Sequence, residues 1–254
     1  MRTIYNRRAT KLIAGDALTV LPKLAAKGER FHAVISDPPY SSGGLHASAR
    51  RQATSAKYQQ TGAKLHPNFF GDNRDQRSYL AWSTIWLSHC FELLADRGVV
   101  ALFIDWRNLP VMSDAIQAAG FVWQGVAVWD KQQSRPRLGG FRQQAEFIVW
   151  GSKGKLSTVA GAKCIPGVFH HNYVRGGQRV HAAQKPVDLM DEICQVVSDR
   201  EKPRILDPFA GSASTLIAAR RCGFSSVGVE QCETIAATAA DRLRAATLAP
   251  LQAA

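Results

Sequence analysis

The sequence predicts an α/β fold, in which helices cover both faces of a doubly wound, mainly parallel sheet of seven strands with one late hairpin. Short apolar runs alternate with segments of helical period along most of the 254 residues. Acidic residues follow three of the predicted strands, at Asp37, Asp207 and Glu230, and doubly wound sheets bind ligands at the carboxyl ends of their strands. The length suits one large α/β domain, so we expect a single domain over residues 1–254.

The first half of the chain alternates between strand-like and helix-like patterns. Amphipathic spacing predicts helices over residues 17–27 and 79–95. Pro110 favours the first turn of a third helix, which stops at Gly120. The strands predicted in this half cover residues 11–14, 33–35, 99–104 and 121–129.

The second half adds the hairpin and a further series of strands and helices. A basic loop joins the strand at residues 121–129 to an apolar run at residues 147–150, which predicts an antiparallel pair. Pro186 opens an amphipathic helix, and an Ala-rich helix runs to about residue 247. The remaining predictions are strands over residues 204–206 and 227–230 and a helix over residues 216–222.

The formal charge of +12 is concentrated in two segments. Residues 41–80 hold six Lys or Arg against two Asp, and residues 131–185 hold ten Lys or Arg against one Glu. These segments together carry +13, so the rest of the chain nets −1. Such concentration favours a polyanionic partner, most simply nucleic acid, over a basic surface that serves only solubility.

Several features argue against a metalloprotein, a membrane protein or a secreted protein. The five cysteines form no Cys-x-x-Cys pair, which is typical of reduced thiols in a cytosol. His170, His171 and His181 have no further ligand at matched spacing, so solvated or DNA-facing histidines are favoured over a metal site. No apolar run is long enough for a membrane span, and the first residues lack the apolar core of a signal peptide. We therefore expect a cytoplasmic protein with no metal.

The stretch from Ser36 to Tyr40 forms an unusually stiff corner after a predicted strand. Pro38 and Pro39 fix two φ angles and remove two N–H donors. The carboxylate of Asp37 and the backbone carbonyls are then acceptors without competing donors, which suits the binding of an amino group. The alternative is a strand that ends in a Pro-Pro turn with an aspartate cap and a packed tyrosine.

A second stretch, residues 207–215, is rich in small residues at a strand–turn–helix joint. Small side chains let a ligand approach the backbone, and the N–H groups at a helix start favour a carboxylate. About 20 residues further on, Glu230 ends the next strand, where an acid commonly binds a ribose diol. The alternative is a strand–helix turn with a cap, which leaves the distant glutamate unexplained.

These motifs, in this order, resemble the permuted amino-methyltransferases of DNA, the beta class of N4/N6 methyltransferases, whose catalytic half precedes the cofactor half. Residues 37–40 are similar to the catalytic Asp-Pro-Pro-Tyr motif, and residues 207–212 to the S-adenosylmethionine motif. The further matches are residues 129–131, residues 181–186 and the pair Arg142 and Glu146. The resemblance spans most of residues 10–245 and implies a Rossmann-like class I methyltransferase fold.

The resemblance also implies a role for each candidate residue. Asp37 and the Pro38 carbonyl would accept the two N–H groups of an exocyclic amine, Pro39 would complete the corner, and Tyr40 would stack on a flipped base. Glu230 would bind the ribose hydroxyls of S-adenosyl-L-methionine, and Asp16 its adenine amino group. The other residues expected around this cofactor are Asp37, Lys185, Asp207, Phe209, Gly211, Ser212, Ser214 and Thr215.

The reaction implied is methylation of adenine N6 in double-stranded DNA, because Ser36 and Asp37 fit adenine enzymes better than cytosine-N4 enzymes. Cytosine-N4 transfer uses the same geometry and stays open as an alternative. Methylation of RNA or protein amides is disfavoured, since those enzymes usually carry Asn at the Asp37 position. Ala213 stands where the family usually has Gly, which would cost on the order of 1 kcal/mol at a positive φ. A catalytically silent DNA-binding regulator is therefore a further alternative.

Two basic stretches are expected to face the DNA. Residues 41–77 follow the corner directly and are expected to form a mobile loop over it. Residues 151–180 are expected to form the DNA-recognition insert, and a homodimer is expected by family analogy. The candidate nucleic-acid-binding residues are Arg50, Arg51, Lys131, Arg135, Arg137, Arg142, Lys153, Arg175 and Arg179.

Overall fold

The computed structural model describes residues 1–41, 74–133, 138–156, 162–174 and 184–246. In these parts of the chain, nine strands form one sheet in the order β1-β2-β9-β8-β3-β4-β6-β5-β7. The strands are β1 (Arg2–Arg7), β2 (Thr10–Ala14), β3 (Phe31–Ser36), β4 (Leu94–Ile104), β5 (Val122–Asp130), β6 (Ala145–Ser152), β7 (Val168–His170), β8 (Arg204–Asp207) and β9 (Ser225–Glu230). The α-helices are α1 (Ala17–Ala26), α2 (Gln76–Leu93), α3 (Leu109–Ala118), α4 (Val187–Cys194), α5 (Ser214–Arg221) and α6 (Glu233–Ala245).

The centre of the sheet is parallel, and its late hairpin is antiparallel. Strands β2, β9, β8, β3 and β4 are neighbours that run in the same direction. β6 lies antiparallel between β4 and β5, and pairs with β5 from Val122 opposite Ser152 to Asp130 opposite Ala145. The predicted α/β class, the mainly parallel sheet and the late hairpin are therefore confirmed.

The predicted count of seven strands is wrong, because the described residues contain nine. The two additional strands, β1 and β7, lie at the two edges of the sheet. β1 buries only Tyr5, and it turns into β2 through Arg8 and Ala9, whose φ angles of 52° and 56° are reached without the Gly or Asn that marks a tight hairpin. β7 has three residues. Neither strand offers an apolar run long enough to be recognised from sequence.

The boundaries of the long loop and of the insert also differ from the prediction. Residues 76 and 77 begin α2, because the Asp75 side chain caps it by accepting from the N–H groups of Arg77 and Ser78. The loop predicted over residues 41–77 is therefore too long at this end, and its residues 42–73 lie outside the described residues. Residues 151 and 152 belong to β6 rather than to the predicted insert.

Alternate residues of the central strands pack against helices on opposite faces. Val34, Val100 and Leu102 face a core that includes Trp86 of α2 and Met112 of α3. The intervening positions, among them Ile35 and Phe103, face a second core, which is formed with α4 and α5. Burial on both faces explains why these strands are continuous apolar runs in the sequence.

The parallel register places the carboxyl ends of β3, β4, β8 and β9 at one edge of the sheet. The residues that follow these strands are therefore brought together, although they come from distant parts of the chain. No helix in the described ranges combines the length and the apolar character that a bilayer span requires.

Candidate active site

The Pro-Pro corner (residues 36–40) lies directly beside the small-residue turn (residues 207–215). Ser36 ends β3, and its Oγ donates a 2.6 Å hydrogen bond to Oδ1 of Asp207, which ends β8. Both side chains are buried, and their strands are parallel neighbours. The two motifs singled out from the sequence therefore meet across adjacent strands.

Four side chains form a compact hydrogen-bonded cluster at the corner. The ammonium of Lys185 lies 2.6 Å from Oδ2 of Asp37, 3.0 Å from the Tyr40 hydroxyl and 3.3 Å from Oε2 of Glu146. The Tyr40 hydroxyl donates to the same Glu146 oxygen at 3.1 Å. Lys131 completes the charge balance from the far side, with its Nζ 3.2 Å from Oε1 of Glu146. Two cations and two carboxylates thus neutralise one another.

Burial and the neighbouring charges act in opposite directions on this cluster. Burial raises the pKa of Asp37, and the ammonium of Lys185 only partly opposes that shift. Burial alone would lower the pKa of Lys185, but the carboxylates of Asp37 and Glu146 outweigh it, so the pKa of Lys185 is raised. The pKa of Glu146 is lowered, because Lys185 and Lys131 together outweigh burial. Lys185 and Glu146 are therefore held in their charged forms.

One oxygen of Asp37 is left available for a ligand. Oδ1 of Asp37 is buried and has no hydrogen-bond partner among the residues that the structure describes. A buried carboxylate oxygen without a donor is costly, and it marks a place where a ligand donor would be stabilised. This observation fits the prediction that the corner accepts an amino group.

The backbone of the corner is fixed by a residue that the sequence did not single out. Asn108, which is buried and begins the segment leading into α3, donates from Nδ2 to the carbonyl of Tyr40 at 2.6 Å. Asn108 follows β4, the strand beside β3. It therefore lies where the parallel strands have their carboxyl ends, which we call the active edge of the sheet. This position is the signal that could have identified it. Glu146 was matched to the family without a role, although it is the only acid within residues 131–185.

The small-residue turn is organised around the carboxylate of Asp207. Besides Ser36, the N–H of Phe209 donates to Oδ1 of Asp207 at 3.1 Å. Burial raises the pKa of Asp207 to about 6, against the opposing hydrogen bonds from Ser36 and Thr215. The hydrogen bonds that Asp207 accepts from Phe209 and Thr215 therefore hold the two ends of the turn together.

Glu230 closes the turn from β9. Its two carboxylate oxygens accept from the N–H groups of Gly211, at 2.9 Å, and Cys232, at 2.8 Å. Burial raises the pKa of Glu230 to about 7, while these two hydrogen bonds oppose the shift. A carboxylate accepts up to about four hydrogen bonds, so each oxygen can still accept from a ligand hydroxyl.

The backbone of the turn is left-handed at two positions. Gly211 has a φ of 49°, and among the described residues a Cβ placed there would meet nothing nearer than the Phe209 carbonyl at 3.9 Å. Open space over a glycine backbone, next to the start of α5, is the environment that a ligand carboxylate or ribose requires. Ala213 has φ 66° and ψ 28° and is fully buried. The position where the family usually has Gly therefore does need a positive φ.

Arg242 of α6 holds the hydroxyl-rich part of the turn, although no sequence pattern pointed to this residue. Its guanidinium donates to the carbonyl and Oγ of Ser212 at 2.8 and 3.1 Å, and to Oγ of Ser214 at 3.0 Å. Ser214 in turn donates to the backbone carbonyl of Lys185 at 2.8 Å. Ser212 and Ser214 are thus engaged within the protein, and Lys185 is tied to the turn through its main chain.

Asp16 and Phe209 border the same edge of the sheet. Asp16 caps α1 by accepting from the N–H of Leu18 at 3.0 Å, and it lies after β2, the strand that pairs with β9.

The ring of Phe209 packs against Trp82 and Trp86, with centroids 5.4 and 5.0 Å away. Phe209 therefore supports the turn from the core side.

The candidate nucleic-acid-binding residues divide into three groups. Lys131 lies within the charge cluster, and Arg142 is exposed on the hairpin loop before β6. Lys153 lies at the opposite end of the sheet, where its ammonium donates to the carbonyls of Phe91 and Leu94. The structure therefore does not bring Lys153 to the active edge. The candidates outside the described residues are Arg50, Arg51, Arg135, Arg137, Arg175 and Arg179.

Comparisons with known proteins agree with this geometry. A family model described as DNA methylase (N6_N4_Mtase) matches residues 31–241. The type II methyltransferase M2.DpnII of Streptococcus pneumoniae is 24% identical over 244 residues, which cover 89% of this chain and 86% of that protein. The M1.HpyAVI–SAM complex has a TM-score of 0.65 at 21% identity, covering 92% of this chain and 98% of that one. The cytosine-N4-specific PvuII DNA methyltransferase has a TM-score of 0.67 at 17% identity, covering 92% and 86%. The two solved structures share the class I methyltransferase fold of this chain.

Proposed function

The chain belongs to the DNA methylase family, and from this premise we propose that it transfers a methyl group from S-adenosyl-L-methionine to the exocyclic N6 of an adenine in double-stranded DNA. One observation carries the proposal. Asp37, with a buried oxygen free to accept a donor, lies at the same sheet edge as the small-residue turn, and the hydrogen bond from Ser36 to Asp207 joins the two.

The small-residue turn and Glu230 are the residues that would hold the cofactor. Glu230 would accept from the ribose hydroxyls, the backbone at Gly211 would lie against the ligand, and Asp16 would accept from the adenine amino group. When bound, the cofactor would supply a sulfonium methyl group. The N–C bond would form as the S–C bond broke with its electron pair left on sulfur, and the amino group would release one proton to solvent. The SAM complex of M1.HpyAVI supports this choice of cofactor.

The corner would act on the acceptor amine. An exocyclic amino group is a poor nucleophile, because its lone pair is delocalised into the ring. Oδ1 of Asp37 and the carbonyl of Pro38 would accept its two N–H groups and direct the lone pair towards the methyl group. Positive charge develops on this nitrogen during transfer, so a fixed carboxylate stabilises the transition state more than the ground state.

DNA would bind across this edge of the sheet. A base inside a duplex cannot reach the corner, so it would have to be flipped out, at a cost of a few kcal/mol. Tyr40 would stack on the flipped base. Arg142, exposed on the hairpin loop beside the site, would contact a phosphate together with the other basic residues of residues 131–185.

Cytosine-N4 transfer is the second candidate, and the likeness to the cytosine-N4-specific PvuII enzyme favours it. The two reactions share the same acceptor geometry, since both methylate an exocyclic amine next to a ring nitrogen. We place adenine first because of Asp37 in the corner.

Nucleoside mass spectrometry distinguishes these reactions directly. Purified protein is incubated with S-adenosylmethionine and unmethylated DNA, with Asp37→Ala as the inactive control. We expect N6-methyladenine from the wild-type protein alone. N4-methylcytosine would replace the adenine assignment, and the absence of both products despite cofactor binding would favour the silent regulator.

A further inference from the structure

We propose that Lys185 is the positioning residue of Asp37: its ammonium holds Oδ2 and so reserves Oδ1 for the target amino group. The inference rests on the proposed function and deepens it. The two oxygens of a carboxylate are equivalent until the surroundings distinguish them. Here the ammonium lies 2.6 Å from Oδ2, while Oδ1 has no partner among the described residues.

Lys185 is itself fixed at both ends. Its backbone carbonyl accepts from Oγ of Ser214, and the next residue, Pro186, has the restricted φ of −59° that precedes α4. Its ammonium lies between Asp37, Tyr40 and Glu146, and the side chain is only 8% exposed. A long lysine side chain held in this way loses little additional freedom when substrate binds, so Asp37 is oriented in advance.

The charge of Lys185 also opposes the burial that raises the pKa of Asp37, and so favours the ionised carboxylate. Within the parts of the chain that the structure describes, the titratable and charged groups that face Asp37 are Lys185, Tyr40, Glu146 and Asp207. Lys185 is the only cation among them, so without it the carboxylate would face two other carboxylates in a buried site. A protonated Asp37 would not stabilise the cationic amine of the transition state.

Lys185→Met tests this inference, because methionine keeps the length of the side chain and removes the charge. We expect kcat/KM for DNA at pH 7 to fall about tenfold or more, and the acid limb of its pH profile to move upward by about one to three pH units. The dissociation constant for S-adenosylmethionine should stay within about twofold, since the backbone bond to Ser214 is retained. Lys185→Arg should return the acid limb to its wild-type position.

Lys202→Met is the matched control, because it removes one positive charge at an exposed site before β8, where the ammonium lies 3.9 Å from the exposed carboxylate of Glu201. It should leave the acid limb unmoved. If Lys185→Met does not fold, Lys185→Gln is used in its place, with the same expected shift.

Two results would overturn the inference. One is an unmoved acid limb with turnover near that of the wild-type protein. The other is a weaker dissociation constant for the cofactor with an unmoved acid limb, which would make Lys185 a cofactor ligand. Failure of the proposed function is a different result, because the wild-type protein itself would then methylate no DNA.

Discussion

Oγ of Ser36 lies 2.6 Å from Oδ1 of Asp207, so one buried hydroxyl joins the corner to the turn across adjacent strands. Ser36→Ala would remove this donor and leave Asp207 with the hydrogen bonds from the N–H of Phe209 and from Thr215. We expect a loss of about 1–2 kcal/mol in the free energy of unfolding. Urea denaturation measures it.

Ser88→Ala serves as the control for this substitution. Ser88 is exposed on α2, and its hydroxyl donates only to the Thr84 carbonyl of its own helix. The control should change stability by less than about 0.5 kcal/mol. Equal losses in the free energy of unfolding for the two variants would show that the hydrogen bond between Ser36 and Asp207 stabilises the protein no more than an exposed one within a helix.

Ala213→Gly should stabilise the protein. Ala213 adopts a left-handed conformation at φ 66°, which costs an alanine on the order of 1 kcal/mol relative to glycine. Thermal unfolding should show a higher midpoint, and cofactor affinity should be equal or better. Ala219→Gly, at a buried helical position of α5, should instead destabilise the protein. A lower midpoint for Ala213→Gly would mean that the packing of its methyl group outweighs the backbone strain.

Asp37→Ala should abolish methyl transfer while cofactor binding remains largely intact. The substitution removes the acceptor of the target amine, whereas the turn is held by Asp207, Glu230 and Arg242. Transfer of labelled methyl groups and titration of the cofactor are measured on the same preparation. Retained transfer would defeat the assignment of Asp37.

Glu230 should make stability depend on pH without the cofactor. Its pKa is about 7 in the folded protein, against an ordinary value of 4.5. Between these values the folded state keeps a proton that the unfolded state has lost, so the free energy of unfolding falls as pH rises from about 4.5 to 7. The loss is on the order of 3 kcal/mol at most.

Glu230→Gln isolates this effect. Asp207, whose pKa is about 6, titrates in both proteins. Its contribution to the pH dependence of stability is therefore removed when the variant is compared with the wild-type protein. The stability of Glu230→Gln relative to the wild-type protein should therefore rise between pH 5 and pH 8. A constant difference across this range would place the pKa of Glu230 near its ordinary value.

Arg142→Ala should weaken DNA binding in a salt-dependent way. If Arg142 contacts one phosphate, the slope of log affinity against log salt should fall in magnitude by about 1. Fluorescence anisotropy at several salt concentrations measures this slope. Lys27→Ala, an exposed charge at the end of α1 away from the active edge, should leave the slope unchanged. Equal slopes for the wild-type protein and Arg142→Ala would remove Arg142 from the interface.

The sequence predicted the helices and strands whose hydrophobic pattern lies within one short segment of the chain. The central strands are continuous apolar runs because both of their faces are buried, and the two motifs follow β3 and β8 directly. The strain at Ala213 could also be anticipated, because the family that the motifs resemble usually has Gly at this position. Edge strand β1 escaped prediction, since it buries only Tyr5.

The contacts within the site could not be predicted, because they join residues distant in sequence. The motif predicts Lys185 beside the cofactor, but it does not predict that the ammonium lies 2.6 Å from Asp37, 148 positions earlier. Arg242 has no local signal, since it acts through partners on another element, and the motif that contains Glu146 does not reveal its bond to Tyr40. Only the sheet order reveals these neighbours.

The order of the nine described strands also has a consequence for biosynthesis. β8 and β9 lie between β2 and β3, so the last strands to leave the ribosome fill the middle of the sheet. Until residue 230 has emerged, β2 has only its neighbour β1 to pair with, and the earlier segments cannot close into one body. Folding therefore depends on long-range strand pairing that is completed only after most of the chain has been made. Such pairing is slow. Until it is complete, we expect apolar surface of the nascent chain to be exposed to chaperones.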